Sequence, residues 1–394
     1  MISKKKYFAQ TYQRLTTALP SKPWRQAFAK INKNPKKPAS VKTLSDHIMA
    51  YGLNLWETGY LQDMNEYELG AISEAMYYGD KFLELWESVE AEKRSALKSK
   101  YNAAFTQPSE MRSINFEVFM YHFMKSLDYE VECKDDVAAG QTYDFLVTKD
   151  QVEVQVECKS FAYDKGLHLT GEDAMDLASR VLARGPKLNT NPAGEVIILT
   201  IEMHESIPKS LSGKESLVDE VYASLDGHTE KKSDKFKLHL EQFNGVKNIH
   251  EIDGWLDLKF ESHGSEIATV ASMPNKDASR ICLKVTSRAK NSFWRDFEAI
   301  CKDAAKRQLK ADKPASIVVH ISHLQTLDEI LDDDRFKTKR DNIFHQQHIV
   351  SLTIVANTGV YEERDYPYFY LSPKIIEFTN SETMFPDVGR IFSE

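Results

Sequence analysis

Asp144, Glu157 and Lys159 are the residues of this 394-residue chain whose types and spacing could do chemistry. Glu157 and Lys159 lie in the run Val152-Glu153-Val154-Gln155-Val156-Glu157-Cys158-Lys159, where apolar and polar residues alternate. Read as a strand, it puts Val152, Val154, Val156 and Cys158 on one face. Glu153, Gln155, Glu157 and Lys159 share the other, so Glu157 and Lys159 project together. Asp144 lies in the apolar stretch Tyr143-Asp144-Phe145-Leu146-Val147, where a carboxylate is costly to bury unless it is paired or binds a cation. The short link between 144 and 157 contains turn formers and predicts a hairpin that sets the two carboxylates side by side. Each then raises the other's pKa. A divalent cation removes the conflict, and magnesium, which takes carboxylate, water and phosphate oxygens, suits the pair. Such an ion polarises a phosphoryl group and lowers the pKa of a bound water. Lys159 is placed to orient that water or to stabilise charge developing on the phosphate.

Positioning these groups requires a helix and a sheet. Ser109, after Pro108, can cap a helix running to about residue 127, and Phe116-Glu117-Val118-Phe119-Met120-Tyr121-His122-Phe123-Met124 is apolar nearly all round, so that helix should be buried. Strands are expected at 129–133, 142–147 and 152–158, a helix from Thr170 to about 185, and a buried strand at 195–201. The order helix, three strands, helix, strand implies an α/β fold with a mixed sheet flanked by helices. Helical spacing of apolar residues over 41–105 predicts an N-terminal helical domain. Farther on, a helix is expected around 215–225, short strands at 255–260, 267–271 and 281–285, a helix at 293–309, and strands at 316–321 and 348–356. The later elements are read as extending the same sheet. The domains expected are a basic arm with a helical domain at 1–106, and a second at 107–394 with an insertion at about 203–290.

Tyr143-Asp144-Phe145-Leu146-Val147 followed by Val154-Gln155-Val156-Glu157-Cys158-Lys159-Ser160 resembles the signature of the PD-(D/E)xK nuclease superfamily, which includes restriction endonucleases, Holliday-junction resolvases and many phage-defence nucleases. The likeness covers about residues 109–202; the proline that often precedes the aspartate is replaced by Tyr143. It implies a restriction-endonuclease-like fold, with Asp144 and Glu157 as metal ligands, the Cys158 carbonyl as a third and Lys159 as the catalytic lysine. In many members the preceding helix supplies a supporting glutamate, and Glu117 fits that place. The implied activity is a Mg2+-dependent endonuclease, with Mn2+ substituting, acting on DNA in bacterial defence against phage. A nucleic-acid-binding scaffold on a degenerate nuclease fold, and an RNA-cleaving effector, are the alternatives. A homo-oligomer or an activating protein partner fits the same family.

The pattern Asp, a dozen residues, Glu-x-Lys is weak alone. Glu132-Cys133-Lys134, Asp257-Leu258-Lys259 and Glu230-Lys231-Lys232 are decoys without the same flanking elements. Two H-x-x-H pairs, His320/His323 and His345/His348, could in principle bind zinc, but a spacing of three on a strand turns the rings to opposite faces. No phosphate-cradling GxxxxGK[ST] loop occurs. The net charge of −8 alone disfavours nucleic acid, yet residues 1–42 hold 11 Lys/Arg and no Asp or Glu. Tyr7, Phe8, Tyr12, Trp24 and Phe28 are interleaved there. Such an arm could neutralise phosphates and stack on bases, or simply pack on the acidic remainder. Pro20, Pro23, Pro35 and Pro38 are expected to limit helix in it. The four dispersed cysteines read as free thiols of a cytoplasmic protein, and no apolar run is long enough for a membrane span.

Overall fold

A computed structural model describes residues 4–32, 41–59, 64–134, 143–162, 169, 171–184, 195–225, 230–244, 269–274, 280–287, 292–322, 328–331, 333–356, 360–362, 369–371 and 373–392. Seven helices come first: α1 (Lys4–Ala18), α2 (Pro23–Ile31), α3 (Val41–Asp46), α4 (Ile48–Thr58), α5 (Glu66–Ser88), α6 (Ala91–Ala104) and α7 (Pro108–Ser126). Pro20 and Pro23 do not keep helix out of the arm, while Pro35 and Pro38 lie outside the described residues. Pro20 falls in the turn after α1, and Pro23 opens α2, where a missing N–H costs nothing. The longest helix, α5, starts with a capping box: the Asn65 side chain accepts from Glu68 N–H and the Glu68 side chain accepts from Asn65 N–H, both at 3.0 Å.

The arm's aromatics are also not free to meet a ligand. Phe8 and Trp24 are buried, with Trp24 against Tyr12 and Phe105 and Phe8 edge-on to Trp56. Three of its cations are occupied too. Arg14 binds Asp80 at 2.6 Å and Glu87 at 2.9 Å, and Lys22 and Arg25 converge on Glu57. For these residues the packing reading holds; residues 33–40 of the arm lie outside the described residues.

The strands β1 (Glu130–Cys133), β2 (Phe145–Lys149) and β3 (Val152–Ala162) follow α7. Asp150 and Gln151 have φ of 51° and 68°, the pair of left-handed residues that a tight two-residue hairpin needs, and this turn sets the β2–β3 register, Lys149 opposite Val152 and Phe145 opposite Val156.

The chain then divides into two units, one of residues 1–163 with 297–394 and one of 164–296. The second unit holds α8 (Gly171–Ala183), β4 (Glu195–Met203), α9 (Leu211–Ser224), β5 (Glu230–Lys232), β6 (Phe236–Asn244), β7 (Thr269–Pro274) and β8 (Arg280–Ser287). Its five strands form a separate sheet in the order β5-β6-β4-β8-β7.

Back in the first unit come α10 (Phe293–Asp303, shared across the boundary), a π-helical turn at Ala304–Gln308, β9 (Ala315–Ser322), α11 (Asp328–Leu331), α12 (Asp334–Phe344), β10 (Ile349–Ala356), β11 (Val360–Glu362), β12 (Phe369–Leu371) and β13 (Lys374–Thr379). The first unit's sheet runs β1-β2-β3-β9-β10-β13, with β3, β9 and β10 parallel and the remaining neighbours antiparallel. The fold is therefore α/β, with mixed sheets flanked by helices.

The helix at 171–183 and the strand at 195–203 do not complete the sheet that carries Asp144 and Glu157. Most of α10, with β9, does so. Likewise 281–285 and 269–271 lie in the second sheet, while β9 and β10 extend the first as expected. The strand expected at 255–260 lies outside the described residues. The N-terminal helices and the first sheet share one core, which runs from Phe8 and Trp24 through Phe116 and Met120 to Val154, Val156 and Val318.

Candidate active site

β3 is covered on both faces, and Val154, Gln155, Val156 and Glu157 are each 3% exposed or less. The face with Val154, Val156 and Cys158 shares its core with Phe116, Phe119 and Met120 of α7. On the other face Phe161 meets Phe297 of α10 edge-on, ring centroids 6.5 Å apart. The buried Cys301 thiol of α10 lies within reach of the Lys159 charge.

The polar residues of that second face are accounted for in turn. Exposed Glu153 pairs with Lys313 at 2.8 Å. Buried Gln155 donates to Lys310 O at 3.0 Å and accepts from Lys310 N at 2.9 Å, tying down the approach to β9. Glu157 binds the Lys159 ammonium through Oε1. The alternation read from the sequence thus brings Glu157 and Lys159 together.

Asp144 sits one residue before β2 begins. Because Phe145 pairs with Val156, Asp144 lies across from Glu157. Its main-chain carbonyl still accepts Lys134 N–H at 2.9 Å, while its Oδ2 accepts Cys158 N–H at 2.7 Å. The N–H and C=O of one strand residue leave by the same edge, so the Cys158 carbonyl points into the opening where β2 has ended. Burial holds the Cys158 thiol well above its usual pKa, which leaves that carbonyl, rather than a thiolate, as the atom Cys158 can offer a cation.

The electrostatics follow from this crowding. Asp144 is only partly exposed, and its pKa is raised well above the usual carboxylate value. Burial is the main cause, then the charges of Glu157 and Glu117, against the relief given by Cys158 N–H and Lys100. Burial works to lower the Lys159 pKa, but the charge and hydrogen bond of Glu157 and the charge of Asp144 outweigh it, so Lys159 is held more firmly as an ammonium. Glu117 on α7 faces Lys100 of α6, whose Nζ is 3.1 and 3.4 Å from its two carboxylate oxygens. Lys100 was not singled out by sequence reasoning, since a lysine on an amphipathic helix carries no signal of what it reaches.

Among the described residues, no group of three or more His, Cys, Asp or Glu is gathered so as to hold a metal ion. The donors that fit one are two carboxylates, Asp144 and Glu157, and a main-chain carbonyl. Magnesium, which keeps several waters and takes one or two carboxylates, accepts such a set. Asp144, its pKa raised first by burial and then by the Glu157 charge, is the physical reason a cation suits this place.

Among the described residues the other constellations do not assemble. His320 is buried, stacked on Phe116 at 5.0 Å, with Nδ1 3.4 Å from Ser160 Oγ. His348, also buried, bonds Ala305 O at 3.0 Å. The two sit at opposite ends of adjacent parallel strands, since the His348 carbonyl accepts Ala315 N–H five residues before His320, about 16 Å away. His345 is exposed, and His323 lies outside the described residues. Of the decoys, Glu132 and Lys134 pair with each other beside the site; Asp257, Leu258 and Lys259 lie outside the described residues. All four cysteines are free thiols, and among the described residues no helix is long and apolar enough to cross a membrane. Compared with known proteins, the chain matches no family model, no curated protein and no solved structure.

Proposed function

We propose that this chain is a metal-dependent nuclease with a restriction-endonuclease-like core, hydrolysing phosphodiester bonds of DNA. One observation carries the reading: Asp144 and Glu157 face each other where β2 ends, with Lys159 on Glu157 and the Cys158 carbonyl aimed into the same opening. Bound Mg2+ or Mn2+ would polarise the scissile phosphoryl group and lower the pKa of a water. Asp144, Glu157 and the Cys158 carbonyl supply the oxygens that hold the ion. Lys159, kept charged by its carboxylate neighbours, donates to a phosphate oxygen or orients the attacking water. Glu117 adds negative potential from α7, and Lys100 holds its carboxylate in place. Bacterial defence against phage is the setting this reading fits, on the likeness to the superfamily.

A second reading, a nucleic-acid-binding scaffold on the same fold, draws on two pairings within the site: Asp144 caps Cys158 N–H and Glu157 binds Lys159 through Oε1. One experiment separates the two. The purified full chain is incubated with matched DNA and RNA oligomers and Mg2+ or Mn2+, beside Asp144→Ala, Glu157→Ala and Lys159→Ala. The nuclease reading expects cleavage of DNA by the wild type alone. Equal cleavage by the variants, or none by the wild type with either metal, removes it. Cleavage confined to RNA keeps the chemistry and changes the substrate.

A further inference from the structure

α6 brings two more ammonium groups to this site. Lys93 and Lys100 are seven residues apart, hence on one face of the helix and about 10 Å apart along its axis. The same face carries Leu97, Tyr101 and Ala104 inward, which fixes its orientation. Lys100 reaches Glu117 of α7, and Lys93 reaches the Cys133 carbonyl at the end of β1, with Nζ 3.3 Å from the oxygen. Lys134, the next residue along, donates its N–H to Asp144 O. Between α6 and β1 lies a cavity of about 210 Å³ lined by Ser88, Lys93, Tyr121, Val131, Glu132 and Cys133. The lysine side chains are neither buried nor loose: Lys93, Lys100 and Lys134 are 33%, 36% and 16% exposed.

We propose that Lys93 and Lys100, with Lys134, form a flank that binds the phosphate backbone of nucleic acid beside the carboxylates, and that a bound divalent cation switches it on. The inference rests on the nuclease reading and assigns it a substrate-binding surface on the N-terminal helices. The switch follows from charge. Among the described residues, Lys93, Lys100, Lys134 and Lys159 stand among Glu90, Glu117, Glu132, Asp144 and Glu157. A divalent ion held by Asp144 and Glu157 adds two positive charges beside these lysines, which favours an incoming phosphate. The contacts to Glu117 and the Cys133 carbonyl hold the lysine head groups in place, so less side-chain freedom is left to lose when phosphates arrive.

The test is the salt dependence of binding, which counts phosphate contacts at about 0.9 in the slope of log Kd against log salt for each contact on duplex DNA. The probe is a labelled phosphorothioate duplex, which resists cleavage, titrated with the full chain in Mg2+ and in EDTA. Wild type is expected to bind in Mg2+ and far more weakly in EDTA. Lys93→Gln/Lys100→Gln should lower the slope by about 1.8, while Lys93→Arg/Lys100→Arg and the exposed control Lys30→Gln keep it. A double glutamine variant that melts like wild type and keeps the wild-type slope overturns the inference, and so does equal wild-type binding in EDTA. If the glutamine pair does not fold, the two single variants carry the test, each expected to lower the slope by about 0.9. Absence of wild-type binding in Mg2+ overturns the nuclease reading itself.

Discussion

The Asp144 carboxylate accepts the backbone N–H of Cys158 at 2.7 Å, where a β2 strand continued by two residues would have offered a main-chain carbonyl. The side chain thus ends the hairpin ladder and holds the strand opening at which Glu157 sits. One residue both shapes the site and adds charge to it.

Asp144→Asn separates those two roles, because the amide oxygen can still accept Cys158 N–H while the charge is gone. The fold should persist. Cleavage should fall at least about a hundredfold, since residues that merely orient metal ligands are worth ten- to a hundredfold. Mg2+ or Mn2+ should raise the Tm of wild type, as any ligand of the native state does, but not that of Asp144→Asn. An equal metal-dependent Tm rise in the variant, read by thermal melting, would show that Asp144 is not a ligand.

Lys159→Met leaves the Glu157 carboxylate, 2% exposed at its side chain, without its ammonium. Breaking a buried pair on one side costs about 3 kcal/mol. Glu157→Gln/Lys159→Met should recover most of it, because no buried charge is left. Urea denaturation of the two variants measures this. A single variant within about 0.5 kcal/mol of wild type, the usual range of surface substitutions, would mean the pair is solvated.

The pH dependence of the metal-free protein has a definite sign. The Asp144 carboxyl has a higher pKa folded than its ordinary 3.8, so the native state binds the extra proton between those two values. Acidification through that window adds stability, and raising the pH through it removes the same amount. Lys159 behaves differently. Its raised pKa means that its contribution is complete below 10.5 and is lost only as the pH climbs through the folded value. Metal-free Asp144→Asn should therefore exceed wild type in stability at neutral pH, with the gap closing on acidification. Urea melts at a series of pH values check it; a gap that widens on acidification contradicts the assignment.

Tyr101→Phe probes the shared core. The Tyr101 ring stacks on Phe82 with centroids 3.6 Å apart, and among the described residues its buried hydroxyl has no hydrogen-bond partner. Removing an unsatisfied buried hydroxyl should stabilise the chain by about 1 kcal/mol in urea melts. A loss of that size would reveal a partner for the hydroxyl.

Local chemistry was legible where a short-range rule governs it. The alternation 152–159 put Glu157 and Lys159 on one face, and Lys149-Asp150-Gln151 marked the turn before β3. The all-round apolar run at 116–124 marked a buried helix. Completing the sheet was not legible. Both 195–201 and 316–321 read as buried strands, because apolar runs report burial and say nothing about which strand lies alongside. The arm misled for a related reason. Its prolines and basic aromatics look alike whether they face solvent or a core, and only the placement of α4, α5 and α6 decided that Trp24 is buried and that Arg14 and Arg25 have acidic partners.

By itself, then, the sequence determined which side chains share a strand face, where the hairpin turns, and that two carboxylates and a lysine would meet, since each is a matter of backbone geometry over a few residues. Only the tertiary structure decided that β9 rather than β4 lies beside β3, that α10 covers the Lys159 face, and that Lys100 comes from α6 to hold Glu117. Those are contacts between segments distant along the chain. They depend on which apolar surfaces exclude water together, a choice that no local pattern encodes.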